Sequence, residues 1–219
     1  LAPASVQEMA DFVGIAFDLA FKYRNPAIIL ADGVIGQMME KVVLPEQRTR
    51  LTDEEVIARC PWATTGRTHH RTPNIITSLE LDPAEMEKRN IHLQKKYAEI
   101  EENEVRFEEL HCEDAEYLIV AFGSCARIAQ KAMEMAREEG IKVGLLRPIT
   151  LWPFPSKAIA ARAAQVKGIL TVELNAGQMV EDVRLAVECK VPVEHFGRLG
   201  GIVPDPDEVI TALKEKLIK

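Results

Sequence analysis

From position 117 onward the sequence alternates short apolar runs with amphipathic stretches, and that alternation leaves little freedom of fold. Residues 117–122, 142–146, 169–174 and 193–196 read as strands, the first three predominantly apolar, as strands buried on both faces are. Helical patterns separate them. One opens at Gly123-Ser124, carries Ile128, Ala129, Ala132, Met133 and Ala136 on one face and ends at Gly140. Others follow at 156–166 and 179–187, and a last one, capped by Asp205-Pro206, runs through Ile218. Strands alternating with helices mean βαβ crossovers, so residues 115–219 are expected to form an α/β domain: an open, mainly parallel sheet with helices on both faces.

Composition removes several function classes. The 219 residues are 47% apolar and 28% charged, an ordinary folded balance. A formal charge of −7 lacks the basic face that displaces counterions from nucleic acid, so no nucleic-acid partner is expected. The acid is local: residues 99–116 hold nine carboxylates and Arg106, net −8, leaving +1 for the rest, and read as a solvated face. No apolar run nears the ~20 residues of a membrane span, and no secretory signal is visible. A cytoplasmic location with reduced thiols is the expectation. Cys60, Cys112, Cys125 and Cys189 form no CxxC pair, which leaves cluster ligation and zinc sites unsupported.

The chain starts at Leu1 and enters a helix almost at once, which reads as a piece of something longer. Ser5 and Glu8 stand at capping-box spacing, Met9, Phe12, Val13, Ala16, Phe17, Leu19 and Ala20 make a broad apolar face, and Asn25-Pro26 stops the helix. Residues 27–31 look like a buried strand, opening into Asp32-Gly33-Val34-Ile35-Gly36-Gln37. Ligands of open α/β sheets bind beyond the carboxyl ends of strands, which makes Asp32 the most site-like carboxylate; Asp before Gly is also ordinary turn chemistry. Residues 41–81, punctuated by Pro45, Pro61, Gly66 and Pro73, read as an extended connector without helical period. Asp82-Pro83 starts a helix over about 83–101, and 105–110 is ambiguous between helix and strand.

Self-sufficient catalytic signatures are missing: GxGxxG, GxxxxGK[ST], GxSxG and HExxH do not occur. Gly197-Arg198-Leu199-Gly200-Gly201 reads first as a turn needing positive φ, with a phosphate cradle as the alternative. Gly123-Ser124-Cys125 lies at a strand-to-helix junction suited to an anion, though Ser124 reads first as an N-cap and Cys125 as a small buried residue. His69-His70 lie between Arg67 and Arg71; neighbouring side chains on extended backbone point apart, which makes poor chelation. A loop reaching a neighbouring subunit or an acidic ligand stands beside plain solvent exposure.

Several segments together resemble the α-type subunit of the 2-oxoacid:ferredoxin oxidoreductases, and more narrowly its 2-oxoisovalerate (branched-chain) members. They are Leu1-Ala2-Pro3-Ala4-Ser5-Val6-Gln7-Glu8-Met9, Asn25-Pro26, Ala31-Asp32-Gly33-Val34-Ile35-Gly36-Gln37-Met38, the stretch from Gly66 through Asp82-Pro83 and Met86 to Lys88-Arg89, and 117–219. The resemblance implies that 1–44 is the C-terminal tail of a thiamine-type pyrimidine-binding α/β domain, 45–114 a connector with one helix, and 115–219 a transketolase C-terminal-like domain. It implies oxidative decarboxylation of a 2-oxoacid to acyl-CoA with ferredoxin reduction. Thiamine diphosphate, magnesium and iron–sulfur clusters belong to the whole complex. Its partners are a beta subunit carrying the diphosphate-binding domain, gamma and ferredoxin-type subunits, CoA, the 2-oxoacid and ferredoxin. No catalytic, cofactor or metal ligand carries over to this chain: Ala31 replaces the first glycine of the family's GDG motif, and no Asn occurs between Asn25 and Asn74. Asp32, Gly33, Gln37, His69 and His70 remain as candidates for an interface or a near-cofactor loop, and the chain alone is expected to be inactive. Another thiamine-dependent transketolase-like or 2-oxoacid dehydrogenase subunit, and a non-catalytic α/β assembly module, are the competing readings.

Overall fold

In the computed structural model, which describes residues 1–64 and 75–218, the alternation from position 117 becomes one five-stranded sheet. Its strands are β1 (Phe107–Leu110), β2 (Tyr117–Ala121), β3 (Val143–Pro148), β4 (Gly168–Glu173) and β5 (Val193–Gly197), in the order β1-β3-β2-β4-β5. Pairings β2–β3, β2–β4 and β4–β5 are parallel; β1, the stretch left ambiguous by sequence, adds an antiparallel edge to β3. The chain reverses its direction across the sheet between β2 and β4, which makes their carboxyl ends the switch point.

Period-two alternation divides the core into two layers. Ile119 and Ala121 of β2, with Leu145, Leu170 and Val172, face helices α5 (Gly123–Glu138) and α8 (Pro206–Leu213). Leu118 and Val120, with Leu146 and Ile169, face α6 (Ser156–Ala163) and α7 (Met179–Val187). Helices therefore cover both faces, which is why β2, β3 and β4 are almost wholly buried. Asp205 caps α8 with a complete capping box, its carboxylate accepting from Glu208 N–H while Glu208 accepts from Asp205 N–H.

Two compact units divide the chain: Leu1–Val43 with Tyr97–Lys219, and Leu44–Lys96. Helix α1 (Val6–Tyr23) belongs to the first. Ser5 caps it by accepting from Glu8 N–H, but the Glu8 carboxylate does not close the expected capping box. It accepts instead from Ala4 N–H and pairs with Arg147 of β3, 139 residues away in sequence. Residues 27–31 are not the buried strand expected. The Leu1 ammonium donates to Ile28 C=O and Leu30 N–H to Leu1 C=O, both at 2.8 Å, a single rung of pairing. Ile28 is 70% and Leu30 52% exposed. An apolar run becomes a strand only where neighbouring backbone satisfies its polar groups, and among the described residues Leu1 alone does so.

The second unit holds a helix that the connector reading missed, α3 (Asp53–Arg59), with a complete capping box from Thr52 to Glu55. The signal was present as Thr-x-x-Glu and was masked by the surrounding prolines. Helix α4 (Pro83–Asn103) starts at the expected Asp82-Pro83, where the Asp82 carboxylate accepts from Ala84 and Glu85 N–H.

The acidic stretch is largely the solvated face expected, with Glu99, Glu101, Glu102, Glu108, Glu113 and Asp114 exposed and Glu104 buried, but it is also laced with ion pairs. Seven of its nine carboxylates (Glu102, Glu104, Glu108, Glu109, Glu113, Asp114, Glu116) meet cations, drawn mostly from α5, β3, α6 and the start of β4. Arg162 grips Glu109 through Nε at 2.9 Å and an Nη at 2.6 Å, and Arg137 holds both Asp114 oxygens. Six cations from outside the stretch (Lys22, Arg137, Arg147, Lys157, Arg162 and Lys167) thus offset much of its local charge.

Candidate functional site

The switch point lies where β2 and β4 end and α5 and α7 begin, each helix aiming free N–H groups at the crevice. Carboxylates of the chain itself take Ser124 N–H at α5 and three N–H groups at α7. At α5, Asp32 Oδ2 accepts from Ser124 N–H at 3.0 Å. Its other oxygen accepts from Val34 and Ile35 N–H, both at 3.0 Å, and so caps the short helix α2 (Gly33–Gln37). Burial pushes the Asp32 pKa up, but the hydrogen bonds from Ile35, Ser124 and Val34 outweigh it and hold the carboxyl below its ordinary value. At α7, the fully buried Glu173, last residue of β4, accepts from Met179 N–H at 2.8 Å, Val180 N–H at 3.0 Å, Gln178 N–H at 3.2 Å and Asn175 Nδ2 at 3.1 Å. His195 of β5 stands beside it, with Nδ1 3.4 Å from Glu173 Oε1 and 3.2 Å from Thr171 Oγ1.

Ser124 is not the N-cap that its position suggests: Phe122 occupies that place, and Ser124 is buried. Cys125 is the small buried residue expected; burial, then the Asp32 and Glu173 carboxylates, push its thiol up to about 12. The glycine run after β5 is a turn, with φ of 66° at Gly200 and 84° at Gly201. Of the candidate residues, Asp32, Gly33 and Gln37 share the α2 turn, whose Gly33 and Gln37 are exposed. His69 and His70 lie outside the described residues. Glu173 was missed, its signal being an acidic residue within an otherwise apolar run.

Away from this edge, a cavity of about 290 Å³ is lined by Leu19, Tyr23, Ile28, Ile100 and Trp152, with Glu104 at its polar end. Glu104 takes hydrogen bonds from Lys22 Nζ and Tyr23 Oη, both at 2.7 Å, and from Arg106 at 3.2 Å.

The fold is a doubly wound α/β sheet in which Asp32 accepts from the N-terminus of α5 and Glu173 from that of α7. Residues 1–111 match the family described as "Pyruvate flavodoxin/ferredoxin oxidoreductase, thiamine diP-bdg", and residues 115–209 "Pyruvate:ferredoxin oxidoreductase core domain II". The chain belongs to this family of 2-oxoacid:ferredoxin oxidoreductase subunits. It is 46% identical over 215 residues to the ketoisovalerate oxidoreductase subunit VorB of Methanothermobacter marburgensis, covering 98% of this chain and 59% of that protein. It is 33% identical over 208 residues to the 2-oxoglutarate synthase subunit KorA of Archaeoglobus fulgidus, covering 94% of this chain and 58% of that protein. This chain therefore spans somewhat over half the length of these relatives. The 2-oxoglutarate:ferredoxin oxidoreductase of Magnetococcus marinus has the same fold, with a TM-score of 0.77 at 23% identity over 98% of this chain and 41% of that one.

The residues present do not fit the diphosphate–magnesium end of thiamine diphosphate. Among the described residues no group of three His, Cys, Asp or Glu side chains could hold a metal ion, and Ser124 N–H at α5 with Gln178, Met179 and Val180 N–H at α7 have carboxylate acceptors already. Among those residues, too, no helix is long and apolar enough to cross a membrane.

Proposed function

We propose that this chain is part of the α-type subunit of a 2-oxoacid:ferredoxin oxidoreductase acting on a branched-chain 2-oxoacid such as 2-oxoisovalerate. In this reading the complete enzyme cleaves the 2-oxoacid oxidatively, passing the acyl group to CoA and two electrons to ferredoxin. Thiamine diphosphate supplies the electron sink for decarboxylation in such enzymes, and the protein supplies orientation and electrostatics. The observation that carries the reading is the 46% identity along almost the whole chain to a ketoisovalerate oxidoreductase subunit.

Residues 1–44 are assigned here to the tail of the pyrimidine-binding domain, 45–114 to the connector and 115–219 to the transketolase C-terminal-like domain. The part played by this chain is structural. With Asp32 accepting at the N-terminus of α5 and Glu173 at that of α7, the sheet offers a wall to the cofactor and leaves its diphosphate and magnesium to a partner subunit. An interface role is supported by α1, where Phe17 is 62% and Phe21 52% exposed, together with the exposed Ile28 and Leu30. Asp32, Gly33 and Gln37 form the turn proposed to face the cofactor or the partner subunit; gamma and ferredoxin-type subunits complete the assembly in the cytoplasm.

The test is reduction of a viologen dye dependent on CoA and 2-oxoisovalerate. The purified chain is expected to give no turnover, and turnover is expected with the full-length subunit and its partners present. Turnover by the chain alone would sink the structural assignment. A complete enzyme that ignores 2-oxoisovalerate in favour of other 2-oxoacids would overturn the substrate assignment.

A further inference from the structure

We propose that Asp32 is a positioning residue, a latch whose one carboxylate oxygen shapes the Gly33–Gln37 turn while the other docks that turn onto the N-terminus of α5. Helix capping alone needs one oxygen, and Oδ1 meets that need through Val34 and Ile35 N–H. The contact of Oδ2 with Ser124 N–H joins two segments 92 residues apart in sequence. Two helix N-termini thereby converge on a single negative charge, which each of them favours.

The surroundings are shaped for this contact. Gly123 has φ of +60°, where a side chain is strained, and a Cβ there would stand 3.0 Å from Asp32 Oδ2 and crowd the contact. Ile35 on the turn is buried at 3% exposure, which gives the docked turn an apolar anchor. A second tie holds the chain just beyond the turn: Glu40 accepts from Arg127 of α5 at 2.7 Å and from Val6 N–H at 3.0 Å. The turn itself stays open to its surroundings at Gly33, Gly36 and Gln37. A latched turn is a preformed surface, and preformed surfaces lose less on binding. The latch stands on the chain's own contacts; its consequence for assembly rests on the function proposed above.

Asparagine at position 32 separates the two jobs, because a side-chain amide has one acceptor oxygen where the carboxylate has two. The experiment is site-resolved amide hydrogen exchange on the full chain. In Asp32→Asn, either Ser124 or the Val34–Ile35 pair is expected to exchange about ten- to a hundredfold faster, the range of a lost hydrogen bond to a charged group. In Asp32→Ala all three amides accelerate, and in Gly123→Ala, which leaves Asp32 in place, Ser124 does. Amides of Val120 and Leu170 stay at their wild-type rates throughout. Unchanged exchange in Asp32→Ala overturns the latch, and so does an equal rise at Val120 and Leu170, which would mean general loosening. Co-purification of Asp32→Ala with the subunit carrying the diphosphate-binding domain then reads the consequence, with at least a tenfold weaker association expected. Normal association with accelerated exchange leaves the latch standing and removes the turn from the interface.

Discussion

At the scale of single residues, the carboxylates at the switch point decide what this sheet can do. Asp32 was legible because Asp-Gly after an apolar run marks a turn or a site, and it proved to serve the turn and a distant helix together. Glu173 was not legible, since nothing local separates a strand-end carboxylate that reaches solvent from one that turns inward. Only the folded chain brings the first turn of α7 within 2.8–3.2 Å of it. Replacing Glu173 by Gln keeps its shape but sets an NH₂ group against N–H donors, leaving at least one buried donor unsatisfied. Glu173→Gln is therefore expected to lower stability by roughly 1–3 kcal/mol. Denaturant unfolding of the full chain should show a reduced midpoint with an unchanged slope. A midpoint equal to wild type would mean that the helix N-terminus finds water or another acceptor.

Among the elements, the segment 99–116 shows what a charge count reads and what it omits. Its net charge of −8 suggested a solvated face, and most of its carboxylates are exposed, but they also pair with Lys22, Arg137, Lys157, Arg162 and Lys167 from outside the segment. Charge counting cannot supply partners that are distant in sequence. Lys157 holds Glu102 below the ordinary carboxylate range, Arg137 does so for Asp114, and Lys167 for Glu116. For Glu104 burial pushes upward, but the hydrogen bonds from Lys22 and Tyr23 prevail and the net shift is downward. Carboxylates depressed in the folded chain bind fewer protons there than in the unfolded chain, so their contribution is complete above the unfolded values and fades as pH falls through the folded ones. The unfolding midpoint is expected to be flat above about pH 5.5 and to decline below about pH 4.5, where unfolded carboxylates take up protons. High salt should shrink the decline, since the exposed pairs are screened. A midpoint independent of pH down to 3 would show that these pairs contribute nothing to stability.

For the whole molecule, stretches far apart in sequence form one compact unit. Residues 1–43 share one unit with 97–219, tied through Glu8–Arg147, Lys22–Glu104, Asp32–Ser124 and Glu40–Arg127. The described parts of 38–52 and 75–82 are extended, largely exposed backbone outside any sheet. Limited proteolysis is therefore expected to cut between 38 and 82, with the two fragments remaining together on a sizing column until denaturant is added. Separation without denaturant would mean that the four ties are too weak to hold 1–43 in place. The sequence by itself determined the α/β class, the strand and helix alternation from position 117, the caps at Ser5, Asp82 and Asp205, and the burial of Cys125. Those features follow from periodicities and spacings of a few residues, which act wherever the chain lies. Tertiary structure alone decided that 27–31 stays out of the sheet, that Glu8 leaves its capping box for Arg147, and that Asp32 and Glu173 accept at the helix N-termini at the switch point. Each depends on a group many residues away or on a neighbouring strand, and a hydrogen bond or ion pair of that kind exists only once folding has brought both partners within about 3 Å.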